Sequence, residues 1–246
     1  MEIKGRIAVI TGGNRGIGSA TSLCLASKEA DIAVIYNTGE EKAVETKTRV
    51  EKLGRKCNIY KCDVSSFTDT RNTIEKIIND FGRIDMLVNS AGIVIEKPFL
   101  QTEEETWDRT IDVNLKGVFN MCRFVIPNML KNGGGKIVNI SSIAGRNGGN
   151  LGVPYAASKS GVIGITYALA AEFTPKKILV NAIAPGPVDT DFTKRLPDDI
   201  RKRLEALSPL GRFALPEEIA HTIAFLIEND YISGEVINVN AGRYMN

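Results

Sequence analysis

The chain has 246 residues, 43% hydrophobic and 24% charged, a length that α/β folds commonly fill as one domain with a core that needs neither disulfides nor a structural metal. Its 31 Lys and Arg against 29 Asp and Glu leave a net charge of +2, too even for a nucleic-acid-binding stripe, and no apolar run is long enough to span a bilayer. Met1-Glu2-Ile3-Lys4-Gly5 lacks the apolar core of a signal peptide. Cys24, Cys57, Cys62 and Cys122 form no C-x-x-C pair and the chain holds 1 His, so reduced thiols, no metal site and a cytoplasmic location are expected.

Short apolar runs alternate with helical patterns along the chain. Arg6–Thr11 reads as a buried strand and Ile17 to Lys28 as a helix, then Ile32–Tyr36 as a strand and Glu40 to Leu53 as a charged amphipathic helix. Asn58–Cys62, Met86–Asn89, Lys136–Ile140, Leu179–Ile183 and Val236–Val239 continue the strand series. Most runs are apolar throughout, as in strands covered on both faces, and helices between them imply right-handed βαβ units. The expectation is one α/β domain over 1–246, a doubly wound Rossmann fold with a seven-stranded parallel sheet and helices on both faces. Asn132-Gly-Gly-Gly135 reads as a flexible turn before the fifth strand. The charged stretch from Thr190 to Phe213, with Pro197 and Pro209, lies where ligands bind and is expected to be a substrate lid.

The first strand runs directly into Thr11-Gly-Gly-Asn-Arg-Gly-Ile-Gly18, which opens a helix. Glycines at 12, 16 and 18 allow a tight turn and let a pyrophosphate approach the helix N-terminus, where free N–H groups and the dipole attract anions. An acid that would hold an adenosine 2′-hydroxyl is expected about 20 residues later. Tyr36-Asn37-Thr38 stands there instead, and Arg15 in the loop can face a 2′-phosphate, which favours NADP(H). Asp63-Val64, after the third strand, is placed to touch adenine. Tyr155 and Lys159 share one helical face, four residues apart, a spacing that lets an ammonium lower a phenol pKa for acid/base work. Ser142, after the fifth strand, lies at the same edge and can donate to a carbonyl oxygen.

Taken together these motifs resemble the short-chain dehydrogenase/reductase family over the whole chain. Thr11–Gly18 resembles its T-G-x-x-x-G-x-G loop, and Asn89-Ser-Ala-Gly92 its N-N-A-G segment, with Ser90 in place of Asn. Asn114, Ser142, Tyr155 and Lys159 match the family tetrad, and Pro185-Gly-Pro-Val-Asp-Thr190 matches the P-G-x-V-x-T loop that holds the nicotinamide. The resemblance implies a ketone/alcohol oxidoreductase. Tyr155 would deliver the proton, Ser142 polarise the carbonyl oxygen, Lys159 hold the nicotinamide ribose and lower the Tyr155 pKa, and Asn114 anchor a water. Cofactor contacts would come from Gly12, Asn14, Arg15, Gly16, Ile17, Gly18, Asn37, Thr38, Asp63, Val64, Asn89, Ala91, Gly92, Tyr155, Lys159, Pro185, Gly186, Val188 and Thr190.

Within the family the chain is most similar to the branch that reduces 3-oxoacyl thioesters on acyl carrier protein, through Arg15, the Asn at the end of the second strand and Ile232-Ser-Gly-Glu-Val236. It departs at two positions where that branch carries arginines near the active-site entrance, here Gly133 (with Lys131 nearby) and Lys176, and in the ending Val239-Asn-Ala-Gly242. A reductase of free ketones, steroids or sugars on the same scaffold is the alternative. A non-catalytic nucleotide-sensing protein would have lost a tetrad member, and all four are present. The helices near Val113 to Leu130 and Tyr155 to Phe173 are apolar beyond one face, and the resemblance implies that they pair between subunits of a homotetramer, with Gly242–Asn246 at a second interface. His221 is expected to be structural, and Trp107 a packing anchor behind a capping box at Thr102-Glu-Glu-Glu105. Lys194-Arg195 and Arg201-Lys-Arg203, diluted by Asp191, Asp198 and Asp199, are expected to form a solvated lid surface.

Overall fold

Runs of Val, Ile, Leu and Ala set the sheet, as β-branched and apolar side chains favour strands buried on both faces. A computed structural model describes residues 1–245 except Phe192 and Leu196, with the side chain of Arg195 also left out. Two positions of the expected lid, and Asn246 of the expected interface tail, thus lie outside the described residues.

In chain order the elements are β1 (Ile7–Thr11), α1 (Gly16–Ser27), β2 (Asp31–Tyr36), α2 (Glu40–Lys52), β3 (Cys57–Lys61), α3 (Phe67–Phe81) and β4 (Met86–Asn89). There follow α4 (Glu104–Ile111), α5 (Gly117–Lys131), β5 (Gly135–Ile140), α6 (Ala144–Asn147) and α7 (Val153–Phe173). β6 (Ile178–Pro185), α8 (Asp198–Ala206), α9 (Pro216–Glu228) and β7 (Val236–Val239) complete the chain. All strands pair in parallel, in the order β3-β2-β1-β4-β5-β6-β7, the expected seven-stranded doubly wound sheet.

Side chains alternate across each strand, so two main cores form, one on each face of the sheet. Ala8, Ile10, Ile32, Val34, Met86 and Val88 pack beneath Leu25 and Ala26 of α1 and Ile219, Ile223 and Leu226 of α9. Val9, Ala33, Ile35, Leu87 and Ile137 face the other way, against Ile74 and Ile77 of α3, Met121 and Val125 of α5 and Val162 of α7. Helix α3 starts where the Ser66 hydroxyl accepts from the Asp69 N–H at 3.2 Å and stops at Gly82, whose φ of 81° suits glycine.

Three local expectations need correction. Thr102 caps no helix: its hydroxyl donates to the Pro98 carbonyl at 3.1 Å and closes the 3₁₀ turn Phe99–Gln101, leaving α4 to begin two residues later. Trp107 is 39% exposed on this chain, so it anchors no interior packing. Helix Val113 to Leu130 is instead a π-helical turn over Asp112–Lys116 followed by α5. His221 lies exposed on α9, away from Tyr155.

Leu87 is fully buried on a central strand. Leu87→Ala should therefore lower the unfolding free energy by about 3 kcal/mol, read as a shift of the urea midpoint at unchanged slope.

Candidate active site

β1 pairs with β2 on one side and β4 on the other, so the chain leaves the sheet in opposite directions from its centre and a crevice opens at the carboxyl ends of β1 and β4. The Thr11 hydroxyl accepts the N–H groups of Ser90 and Ala91, each at 3.0 Å, and ties the two loops together. Gly12 has φ 62°, and a Cβ there would stand 3.1 Å from the Ala91 Cα; a Cβ on Gly18 would fall on the Gly12 carbonyl. Gly16, at φ 51°, lies against Thr190, whose methyl would be 3.1 Å from a Cβ. The loop thus forms a side-chain-free cradle at the first turn of α1, which carries no acidic residue. Its unpaired N–H groups fit a pyrophosphate.

Around that cradle the expected cofactor residues take different positions. Asn14 is buried and donates to the carbonyls of Thr38 at 2.9 Å and Gly39 at 3.1 Å, so its amide joins the two loops. Arg15, Asn37 and Thr38 are exposed at the rim, while Ile17 packs partly against the α1/α9 core. Asp63 is not a free carboxylate. Burial opposes its charge, but the hydroxyl and N–H of Ser65 at 2.6 and 3.0 Å, with Arg109 at 3.3 Å, outweigh that and hold it below the usual range. Val64 is fixed from behind by Gly117, with no room for a side chain between them, and by Asn120, whose amide donates to the Val64 carbonyl at 2.8 Å. Asn120 and Arg109 carried no motif, so the sequence did not single them out.

Asn89 points into the protein, donating to Asn139 at 2.9 Å, and Asn139 donates to Thr166 of α7 at 3.0 Å. Gly186 donates to the Val239 carbonyl at 3.0 Å, Pro185 accepts from Ile143 at 3.1 Å, and Val188 bridges to Ala214. The Pro185–Thr190 loop is therefore held at both ends. The stretch expected to be a lid is tied down by ion pairs: Arg201 of α8 pairs with Asp189 at 3.1 Å and stacks on Phe213, and Lys42 of α2 pairs with Asp191.

Ser142, Tyr155 and Lys159 meet at the carboxyl end of β5. Lys159 is 6% exposed; its Nζ donates to the Ile140 carbonyl at 2.8 Å and lies 5.8 Å from the centre of the Tyr155 ring. The Ser142 hydroxyl accepts from the Ala144 N–H at 3.1 Å and lies close enough to the Tyr155 phenol to favour its charged form. Asn114, in the π turn, clasps the Ile93 backbone with Oδ1 at 2.8 Å and Nδ2 at 2.9 Å, and donates to Ser158 at 3.1 Å. Ser158 in turn donates to the Tyr155 carbonyl at 2.7 Å. Gly92 leaves open the space between Asn114 and Lys159: a Cβ there would lie 3.3 Å from Oδ1 and 3.5 Å from Nζ. Ser141, donating to the Lys159 carbonyl at 2.8 Å, and Gly145, which lets α6 touch that carbonyl, are further positioning residues without a sequence motif.

The electrostatics depart from expectation. Burial pushes the Tyr155 phenol up, with the Ser142 hydrogen bond only partly opposing it, and burial pushes Lys159 down to about 8. Burial sets both directions, because desolvation disfavours the charged form of each group.

A family model described as short chain dehydrogenase matches residues 6–201. The 3-oxoacyl-[acyl-carrier-protein] reductase FabG of Thermotoga maritima is 40% identical over 244 residues, 98% of this chain and 99% of that one. The same-named protein of Aquifex aeolicus is 38% identical over 248 residues, covering 99% and 100% of the two chains. A crystal structure of a candidate short-chain alcohol dehydrogenase from Sinorhizobium meliloti 1021 superposes with a TM-score of 0.91 at 34% identity, covering 98% of this chain and 96% of that one.

Because Lys159 titrates near 8 in the fold against an ordinary 10.5, the unfolded chain binds more protons between those values, and stability rises with pH across that window. Urea unfolding should show wild type gaining up to about 3 kcal/mol relative to Lys159→Met between pH 7 and pH 10. Equal pH dependence in the two proteins would refute the burial of a charged lysine.

Proposed function

The chain belongs to the short-chain dehydrogenase family and is an oxidoreductase, and from that premise we propose that it reduces a 3-oxoacyl thioester, on carrier protein or CoA, to the 3-hydroxyacyl thioester with NADPH. The observation that carries this reading is the meeting of Ser142, Tyr155 and Lys159 beside the glycine cradle. Relatives named for that reaction, matched over nearly their full length, support the substrate class.

The bare loop of Gly12, Gly16 and Gly18 suits a pyrophosphate, and Arg15 with no carboxylate at Asn37 or Thr38 suits a 2′-phosphate. Asp63 and Val64 would border adenine, and Asn89, Ala91, Gly92, Pro185, Gly186, Val188 and Thr190 would shape the nicotinamide end. When bound, the nicotinamide supplies the hydride. The rest falls to side chains. Ser142 donates to the substrate carbonyl oxygen, and Tyr155 transfers its phenolic proton to that oxygen as charge develops there. The raised pKa of Tyr155 keeps the phenol protonated at neutral pH, the form a donor in the reductive direction needs. Lys159 fixes the ribose and Asn114 holds the Ile93 loop at the mouth. The segment from Thr190 to Phe213 acts as the lid.

A second reading, reduction of a free ketone, is favoured by the two departures at Gly133 and Lys176. Within the chain neither borders the active-site entrance as expected: both lie toward the amino-terminal edge of the sheet, before β5 and β6, opposite Tyr155, and Lys176 stacks on Phe173 at 4.7 Å. NADPH oxidation with acetoacetyl-CoA beside ketone, steroid and sugar panels separates the two. Exposed apolar side chains on α5 and α7, Phe119 and Tyr167, support pairing of these helices in a homotetramer. Among the described residues no helix is long and apolar enough to cross a membrane, and no group of His, Cys, Asp and Glu is suited to a metal.

Tyr155→Phe should lower kcat at least about 100-fold with dinucleotide affinity nearly unchanged. More than about a tenth of the rate surviving, under a deuteride isotope effect that shows chemistry to be limiting, removes Tyr155 as donor. NADPH should outcompete NADH by roughly tenfold or more in kcat/KM, with Arg15→Ala and Asn37→Asp eroding the difference; parity in the wild type contradicts the cofactor assignment.

A further inference from the structure

At the amino-terminal edge of the sheet, the far edge from the glycine cradle, a cavity of about 710 Å³ opens among the starts of β1, β4, β5 and β6 and the turn before β7. One wall is the Asn132-Gly-Gly-Gly135 turn, for which the site at Tyr155 has no use. Gly133 has open space where a Cβ would stand, and Gly134 lies so close to the Lys177 carbonyl that no side chain fits. Along its three glycines that wall is backbone alone.

The charges around it do not cancel. Asp85, 1% exposed, is the only carboxylate for two guanidiniums: it accepts Arg6 at 3.2 Å and Arg83 at 3.1 and 2.5 Å. Arg6 spends one nitrogen on this contact and Arg83 two. Among the described residues their remaining donors have no protein partner, and both side chains stay more than a third exposed. Lys136, 3% exposed, shares Asp230 with the Met1 ammonium, at 2.7 and 2.6 Å, and gains the Asn229 carbonyl at 2.6 Å. Lys177, at the mouth, is exposed and has no ion pair among the described residues. A single arginine would have sufficed to satisfy Asp85. The surplus is one guanidinium and two ammoniums on a concave surface, beside Tyr231, which is 99% exposed.

We infer that this cavity is a binding site for a small polyanion, a phosphorylated or polycarboxylate molecule, gripped by the free N–H forks of Arg6 and Arg83 and by Lys177, with Tyr231 as an aromatic wall. Guanidinium forks match the paired oxygens of phosphoryl and carboxylate groups, and a partly enclosed site strengthens such charge-assisted bonds. The site is separate from the catalytic edge and owes nothing to the cofactor reading.

Calorimetric titration of the full chain, saturated with NADP⁺ so that the glycine cradle is filled, tests it with pyrophosphate and with citrate. One site per chain is expected, with a Kd of about 1 mM or tighter. Heat from pyrophosphate alone assigns phosphorylated ligands, from citrate alone polycarboxylates, and from both oxyanions in general. The double variant Arg6→Gln, Lys177→Gln should weaken binding at least tenfold. Lys177→Glu, a change at an exposed side chain that leaves Asp85 and its arginines intact, should do the same and covers the case in which loss of Arg6 harms folding. No saturable heat from either anion, or a Kd that Lys177→Glu does not change, overturns the site.

Discussion

One hydroxyl group holds the molecule's two halves in register where they part. Thr11 ends the central strand, and its oxygen accepts two consecutive N–H groups from the loop beyond β4. The doubly wound order makes this contact necessary: β1 must lie between strands from both halves, so the loops leaving β1 and β4 diverge and would otherwise present unpaired backbone to the crevice. With the loops joined, the Gly12 backbone can press on Ala91, and only glycine meets that demand. The cradle, and through Ala91, Gly92 and Ile93 the clasp of Asn114, are built outward from this point.

On the catalytic side, position is obtained against solvation. A lysine ammonium enclosed among α6, α7 and the end of β5 is held by one carbonyl and by the packing of Ser141 and Gly145 on its own backbone. Its lowered pKa records what that enclosure costs the fold. Such a group persists where its chemistry requires a fixed charge, the usual exchange of stability for activity.

Much of this was legible in the residues. Period and apolarity located all seven strands to within a residue or two, because parallel strands buried on both faces leave an unbroken apolar run. The glycine loop and the Tyr155–Lys159 spacing are local patterns, and the fold kept them local. What the sequence hid is set by distance in space. The π turn at Asp112–Lys116 has the same apolar spacing as a plain helix, and the contact of its Asn114 with Ile93 joins residues 21 apart in sequence. Thr102 looks like a cap until Pro98 closes a turn of its own and takes the hydroxyl. The direction of the Tyr155 shift depends on burial, which no four-residue spacing reveals. Asn120 and Arg109 act on Asp63 and Val64 from helices about fifty residues downstream (46 in the Arg109 pair), so no window contains both ends.

The packing of α1 on α9 also dictates when the protein can fold. These two helices share one core, and Lys28 pairs with Glu228 across 200 residues of sequence. As the chain leaves the ribosome, α1 shows its apolar stripe to water until almost the whole polypeptide has followed it. The central sheet cannot close over that face alone, since β1 needs β4 and the α1 layer needs α9. Assembly is therefore late and all at once, with long-range pairings dominating the barrier. A nascent chain stalled before residue 216 would lack Ile219, Ile223 and Leu226, leaving the part of this core that α9 closes open to water, a natural target for chaperones that recognise unburied apolar surface.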